Sequence, residues 1–141
     1  MRKHSNMAGV VVTVNDYQRL TALIEFASLR TTMAQASLEL YNKLKVAKML
    51  SPEKIDKRIV TMNSKVLLRD RNSSREIEIT ITYPHDAEPR KQRVSVMSEI
   101  GRELLGRREG DEVSWRVPKG VGKFVIEKVT YQPEAAGHFF L

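Results

Sequence analysis

The sequence predicts an α+β fold in which a short N-terminal antiparallel helical hairpin precedes an antiparallel sheet domain with one short helix. This prediction rests on a change in the spacing of apolar residues along the chain. Between residues 17 and 48 the apolar side chains recur at the three- and four-residue spacing of amphipathic helices. From about Arg58 the spacing becomes the two-residue alternation of half-buried strands. The hairpin is assigned to residues 1–50 and the sheet domain to residues 51–141.

The hairpin follows a short predicted strand, Val10–Val14, and Asn15 or Asp16 is expected to cap its first helix. The apolar stripe of this helix consists of Leu20, Ile24 and Ala27. A break near Leu29–Thr32 precedes the second helix, which a threonine of the break is expected to cap. The stripe of the second helix consists of Met33, Ala36, Leu40, Leu44 and Ala47.

Three lysines, Lys43, Lys45 and Lys48, crowd the predicted last turns of the second helix, where cations interact favourably with the helix dipole. Because the connection between the helices is very short, they are predicted to lie antiparallel. Each has about 15 residues, so the hairpin reaches only about 20 to 25 Å. It is a short coiled-coil-like arm.

The sheet domain begins after a predicted turn at Ser51-Pro52-Glu53, and four or five antiparallel strands are expected in it. They lie near residues 65–69, 76–83, 94–96, 111–117 and 124–131. Asp70–Ser74 is predicted to be a hairpin turn. Ser98 is expected to cap the short helix, which Gly106 ends, and Trp115 shares a core-facing stripe with Val113 and Val117.

The composition favours an intracellular protein with an acidic or nucleic-acid-bearing partner. The net charge is +7, from 24 basic and 17 acidic side chains, and both signs are mixed along the chain. The sequence has no cysteine, which excludes disulfides, thiolate metal clusters and a cysteine nucleophile. No apolar stretch approaches the length of a membrane span, so a cytoplasmic location is expected.

The glycine-rich stretch Gly101–Gly110 raises the question of phosphate binding. Its glycines do not fit the spacing of a phosphate loop or a dinucleotide fingerprint, and Gly106 falls at the end of a helix rather than at its start. The glycines are therefore interpreted as a helix stop and a turn, with their arginines solvated or facing a partner. The three histidines, His4, His85 and His138, have no metal-ligand spacing, and no catalytic, cofactor-binding or metal-binding residue is predicted.

Several ordered segments together resemble one known family. These segments are Met62–Val66, Tyr83-Pro84, Val94–Ser98, Gly101–Gly106, Gly110–Val113 and Pro118–Gly120. In this order they resemble the C-terminal domain of the bacterial Gre transcription elongation factors. The stretch Val60–Ser64 and the ending Tyr131–Gly137 are similar to the Rnk-like branch, named as regulators of nucleoside diphosphate kinase. The resemblance covers about residues 58–137.

The resemblance implies an FKBP-like C-terminal domain that docks on RNA polymerase near its secondary channel, with the hairpin pointing into the channel. In Gre factors the hairpin tip carries acidic residues that help a catalytic magnesium ion cleave the transcript. Here the tip, Leu29, Arg30, Thr31 and Thr32, has no carboxylate and places a cation near its centre. Since a cation repels the metal ion, no stimulation of cleavage is expected.

The resemblance also implies a docking segment, Met97, Ser98, Glu99 and Ile100. The leading hypothesis is a non-enzymatic regulator that binds bacterial RNA polymerase and competes with Gre-type cleavage factors, with indirect association with DNA or RNA through the polymerase. A second hypothesis is an interaction module that regulates nucleoside diphosphate kinase or another target. Prolyl isomerase activity, suggested by an FKBP-like fold, and direct DNA binding, suggested by the charge, are further alternatives.

Overall fold

The computed structural model describes residues 9–27, 29 and 33–139 and has an α+β architecture. The helices are α1 (Val14–Ala27), α2 (Ala34–Lys45) and α3 (Glu99–Leu104). The strands are β1 (Val11–Thr13), β2 (Lys48–Leu50), β3 (Lys65–Asp70), β4 (Glu76–Thr82), β5 (Arg93–Ser95), β6 (Glu112–Val117) and β7 (Gly120–Tyr131). The helices of this described part are too short or too polar to cross a membrane.

The larger sheet has five strands in the order β5-β4-β3-β7-β6. Its pairs β4/β3, β3/β7 and β7/β6 are antiparallel, as the alternating pattern predicted. The expectation of an entirely antiparallel sheet is wrong at one edge, because β5 runs parallel to β4. The connection from Tyr83 to Gln92 forms two short 3-10 turns and brings the chain back alongside Thr80, so that β5 runs in the same direction as β4, which a tight hairpin cannot do.

A second, two-stranded sheet joins the first residues of the described chain to the end of α2. In it β1 and β2 run parallel, and the Lys48 amide donates to the Val10 carbonyl at 2.9 Å. The interpretation of Lys48 as part of a helix end is therefore wrong. Val11 also donates from its amide to the Gly106 carbonyl at 3.2 Å, so β1 lies against the end of α3.

The start of α1 differs from the predicted cap. The Thr13 hydroxyl accepts a hydrogen bond from the Asp16 amide at 2.9 Å, so Thr13, rather than Asn15 or Asp16, supplies the capping oxygen. The predicted strand also ends earlier, because Val14 already belongs to α1. Asp16 is buried in the first turn, where its side chain faces the rest of the protein instead of solvent.

The helices contact each other and pack their predicted stripes into a common core with the sheet. The fully or largely buried members of this core include Leu20, Ala27, Leu40, Leu44, Val66, Leu68, Ile79, Ile81, Leu104, Leu105, Val113, Trp115 and Ile126. Trp115 stacks on Phe124 with a centroid distance of 4.4 Å, which confirms its place in the core. The boundary between residues 50 and 51 stays a prediction.

Candidate docking surface

The docking segment, Met97–Ile100, comprises the end of the turn between β5 and α3 and the first two residues of α3. The Ser98 hydroxyl accepts from the Gly101 amide at 3.1 Å and donates to the Ser95 carbonyl at 2.6 Å. The Met97 amide donates to the Ser95 hydroxyl at 3.0 Å. Two serine hydroxyls thus fix the backbone of the turn, and Ser98 is the predicted N-cap of the helix.

The four residues of the docking segment differ in their access to a partner. Met97 is buried and packs in the core, with 6% of its surface exposed. Ser98, Glu99 and Ile100 are half-buried. A partner that meets this turn therefore contacts the side chains of Ser98, Glu99 and Ile100. The Met97 side chain packs in the core and fixes the turn to the rest of the protein.

The predicted stop and turn roles of Gly106 and Gly110 agree with their backbone angles, and Gly101 has a different reason to be glycine. Gly106 and Gly110 have φ values of +81° and +92°, a region that favours glycine. A β-carbon on Gly101 would lie 2.1 Å from the Ser95 carbonyl oxygen. Because this is far inside van der Waals contact, glycine is required for α3 to lie directly on β5.

Charged side chains surround the docking segment. Glu99 pairs with Arg116 at 3.2 Å, and Arg102 pairs with Glu39 of α2 at 2.8 Å. The pKa of Glu39 lies below its ordinary value because Gln35 donates a hydrogen bond to its carboxylate and because Arg102 lies beside it. The surface thus has two acid–base pairs around a polar turn, which suits recognition of a charged protein surface.

The arginines of the glycine-rich stretch were predicted to be solvated or to face a partner, and two of them are instead largely buried. Arg102 is 17% exposed in its side chain, and its guanidinium also donates to the Met97 carbonyl. Arg107 is buried, donates to the Glu112 carbonyl at 2.9 Å and lies 3.6 Å from the Asp111 carboxylate. Arg107 is therefore structural, whereas Arg102 supports the docking segment.

Lys43 is buried where α2 crosses the end of α3. Its ammonium donates to the carbonyls of Arg102 and Glu103 at 2.5 and 3.1 Å. Burial lowers the pKa of Lys43 to about 7, and the nearby Glu103 carboxylate opposes that shift. The lysine therefore serves the end of α3 rather than the end of its own helix.

Asp16, in the first turn of α1, is a second buried ionisable residue that bonds the backbone of another segment. Its carboxylate accepts from the Met62 amide at 3.0 Å, which joins α1 to the segment before β3. Burial raises the pKa of Asp16 to about 7, against the lowering effect of the Met62 hydrogen bond. Burial likewise raises the pKa of the Tyr83 hydroxyl, with the Asp16 charge adding to the shift.

The predicted hairpin tip is described at one position. Leu29 is 84% exposed and follows the last residue of α1 by two positions. Arg30, Thr31 and Thr32 lie outside the described residues, as does His4. The structure therefore does not bring the tip and the docking segment into one described site.

Sequence reasoning missed Glu39, Lys43, Arg102 and Arg116 as neighbours of the docking segment. Periodicity places Glu39 and Lys43 on one side of α2, but it does not say which helix they meet. The local signal in the sequence consisted of two positively charged residues, Arg102 in α3 and Arg116 in β6. The partner of Arg102, Glu39, lies 63 positions away in the sequence, and the partner of Arg116, Glu99, lies 17 positions away.

Within residues 9–27, 29 and 33–139, no group of three or more metal-binding side chains converges. A groove of about 590 Å³ crosses the polar face of the sheet, between Lys65, Thr80 and Arg93. Its lining residues carry polar or charged side chains and include one aromatic residue, Tyr131, so this groove lacks the aromatic lining expected of a prolyl isomerase pocket.

Comparison with known proteins gives consistent matches. The family model described as "Transcription elongation factor, GreA/GreB, C-term" matches residues 55–131, a range that includes the docking segment. The "Regulator of nucleoside diphosphate kinase" of Escherichia coli K12 is 34% identical over 137 residues, covering 94% of this chain and 96% of that protein. The GreA elongation factor of Clostridium botulinum (strain Eklund 17B / Type B) is 39% identical over 89 residues, covering 63% of this chain and 56% of that protein.

A solved structure agrees with the sequence matches. The prokaryotic transcription elongation factor GreA/GreB from Nitrosomonas europaea superposes with a TM-score of 0.74 at 33% sequence identity. The superposition covers 86% of this chain and 98% of that structure. The likeness therefore extends over the helices as well as the sheet.

Proposed function

Because the chain belongs to the GreA/GreB transcription elongation factor family, we propose that it is a non-enzymatic transcription regulator that binds bacterial RNA polymerase near the secondary channel. It competes there with Gre-type cleavage factors and does not stimulate transcript cleavage itself. The observation that carries the proposal is the turn at Ser98–Ile100, which lies inside the family match and presents half-buried side chains between two ion pairs. Such a protein acts in the cytoplasm and meets DNA and RNA through the polymerase.

We infer that the two long helices form a short antiparallel arm and that residues 51–141 form an FKBP-like docking domain. Helices α1 and α2 have 14 and 12 residues, which corresponds to about 21 and 18 Å. An arm of this length occupies the entrance of a channel rather than its depth. Occupying the entrance is sufficient to exclude a competing factor.

The charges of the arm support a role without cleavage. The segment Ala27–Ala34 contains no aspartate or glutamate, and it contains Arg30. Glu39, a carboxylate on the stem, is bound to Gln35 and Arg102 and faces α3. Since magnesium requires carboxylate or similar oxygen ligands, an arm with this charge pattern does not recruit the metal.

The proposal is tested with purified core RNA polymerase and stalled elongation complexes. The full chain is expected to bind core polymerase, to be displaced by a Gre factor and to leave the transcript uncleaved. Glu99→Lys reverses a charge in the docking segment and is expected to weaken binding about tenfold, whereas Glu127→Lys, at a comparable ion pair on the sheet, serves as the matched control.

Two results would contradict the proposal. Absence of binding to core polymerase, under conditions in which a Gre factor binds, would exclude the docking function. Stimulation of cleavage by the wild-type chain would exclude a purely competitive role. Arg30→Asp probes the tip, because a new carboxylate there creates a metal ligand without altering the docking segment.

The name of the Escherichia coli relative supports a second candidate function, the regulation of nucleoside diphosphate kinase. In that case the purified chain and the kinase form a complex without polymerase, and kinase activity changes in the complex. Size-exclusion chromatography of the two components distinguishes this function from the first. A complex that forms only when polymerase is present favours the transcription role.

A further inference from the structure

Two side chains of α2 reach opposite ends of α3. Glu39 lies 2.8 Å from the Arg102 guanidinium, and Lys43 donates to the carbonyls of Arg102 and Glu103. Together Glu39, Lys43 and Arg102 are called the α2–α3 clasp. The clasp connects the helical part of the chain to the helix that begins at the docking segment.

At the start of α3 the connection runs through Arg102. One nitrogen of its guanidinium pairs with Glu39, and the other donates to the carbonyl of Met97, the first residue of the docking segment. A planar guanidinium can bond a carboxylate and a carbonyl at the same time, whereas a lysine ammonium is a point charge on a flexible stem. The fork of Arg102 thus fixes a backbone group of the docking segment relative to α2.

At the end of α3 the connection runs through Lys43. The last carbonyls of a helix have no partners within it, and a helix of six residues is too short to be stable alone. The ammonium of Lys43 satisfies two of these carbonyls. Helix α2 therefore stabilises α3 at both ends.

The Glu39 carboxylate is oriented by a second contact besides its pair with Arg102. Gln35 donates to one oxygen of its carboxylate at 2.8 Å, while the other oxygen pairs with Arg102. The Arg102 side chain is only 17% exposed, so its charge requires a nearby anion. Without the Glu39 charge, the Arg102 guanidinium is better stabilised by water than in its half-buried position. When it turns to solvent, the Met97 carbonyl loses the hydrogen-bond donor that Arg102 supplied.

We propose that Glu39 positions the docking segment through Arg102, so that the affinity of this surface for its protein partner depends on a side chain of α2. The inference rests on the proposed function for the identity of the partner, which is core RNA polymerase. It assigns to Glu39 a positioning role that neither family membership nor the docking segment alone implies.

The test uses the full chain with Glu39→Gln, Arg102→Gln, Arg102→Lys and the double substitution. Glu39→Gln is expected to weaken binding to core polymerase about three- to tenfold and to speed amide exchange at Met97, Ser98 and Gly101. It is expected to have no further effect in the Arg102→Gln background, because its action passes through the guanidinium. Arg102→Lys keeps the charge but lacks the fork, so it is expected to resemble Arg102→Gln.

Glu127→Gln is the matched control, since Glu127 pairs with Arg69 at 2.7 Å on the distant sheet face. Unchanged affinity and unchanged amide exchange in Glu39→Gln would overturn the positioning role. An equal loss of affinity in the Arg102→Gln background would also overturn it, because Glu39 would then act on the partner directly. If the wild-type chain does not bind polymerase, the proposed function fails, and amide exchange in the free protein still decides the positioning role.

Discussion

At the scale of single residues, two buried ionisable groups connect the helices to the rest of the chain. Asp16 accepts from the Met62 amide, and Lys43 donates to the carbonyls at the end of α3. Burial raises the pKa of Asp16 to about 7 and lowers the pKa of Lys43 to about 7. Both groups therefore change charge near neutral pH, and they change stability with opposite signs.

The sign of each contribution follows from the protons bound in the folded and unfolded states. The folded pKa of Asp16 lies above the unfolded value, so the folded state holds the extra proton between about pH 4 and pH 7, and stability falls as pH rises through this range. The folded pKa of Lys43 lies below the unfolded value, so the unfolded state holds the extra proton between about pH 7 and pH 10, and stability rises with pH there.

Asp16→Asn is expected to remove the loss of stability between about pH 4 and pH 7, because asparagine can still accept from the Met62 amide without becoming charged. The stability difference between variant and wild type should shift in favour of the variant by about 2 to 4 kcal/mol across this range. Urea unfolding at a series of pH values measures it.

Asp86→Asn, which removes one carboxylate at an exposed position, is the control. A variant profile for Asp16→Asn parallel to the wild type would show that Asp16 does not titrate in the predicted range.

At the scale of elements, α3 depends on its contact with β5. The helix has six residues and lies so close to the strand that only glycine fits at position 101. The serine hydroxyls of the connecting turn and the clasp from α2 complete its support. The conformation of the docking segment therefore depends on the packing of α3 against β5 and α2.

Gly101→Ala is expected to destabilise the protein by about 1 to 3 kcal/mol, because the new methyl group would meet the Ser95 carbonyl at 2.1 Å and α3 must move away. Gly9→Ala is the matched control, since a β-carbon at Gly9 meets no atom within 4 Å. Chemical denaturation compares the two. Equal midpoints for both variants would mean that α3 does not require this close approach.

At the scale of the whole molecule, one core includes residues from both sides of the predicted domain boundary. Val10, Leu20, Leu40 and Leu44 belong to the same buried cluster as Leu104 and Ile126. The Val11 amide also bonds the Gly106 carbonyl. The helices therefore protect apolar surface of the sheet domain as well as each other.

The fragment 51–141 is expected to unfold at least about 10 °C below the full chain, because removing residues 1–50 exposes the part of the core that β1, α1 and α2 cover. Thermal unfolding followed by circular dichroism tests this, with the full chain as reference. A fragment that unfolds cooperatively at the same temperature would instead support an independent domain beginning at residue 51.

The sequence by itself determined the features that depend on short-range order. Hydrophobic period identified α1, α2 and the antiparallel strands, because each element must turn one face to the core. Ser98 and Gly106 were recognised at the ends of α3 because capping and positive φ are local requirements. The family followed from the order of these local signals.

The tertiary structure decided what local patterns leave open. The parallel pairs β1/β2 and β4/β5 join segments whose partners the two-residue period does not specify. The sequence placed Asp16 and Lys43 at helix ends, yet both are buried, because each bonds a backbone group that lies 46 or 59 positions away in the sequence. Only packing brings α2 to α3, and with it the support of the docking segment.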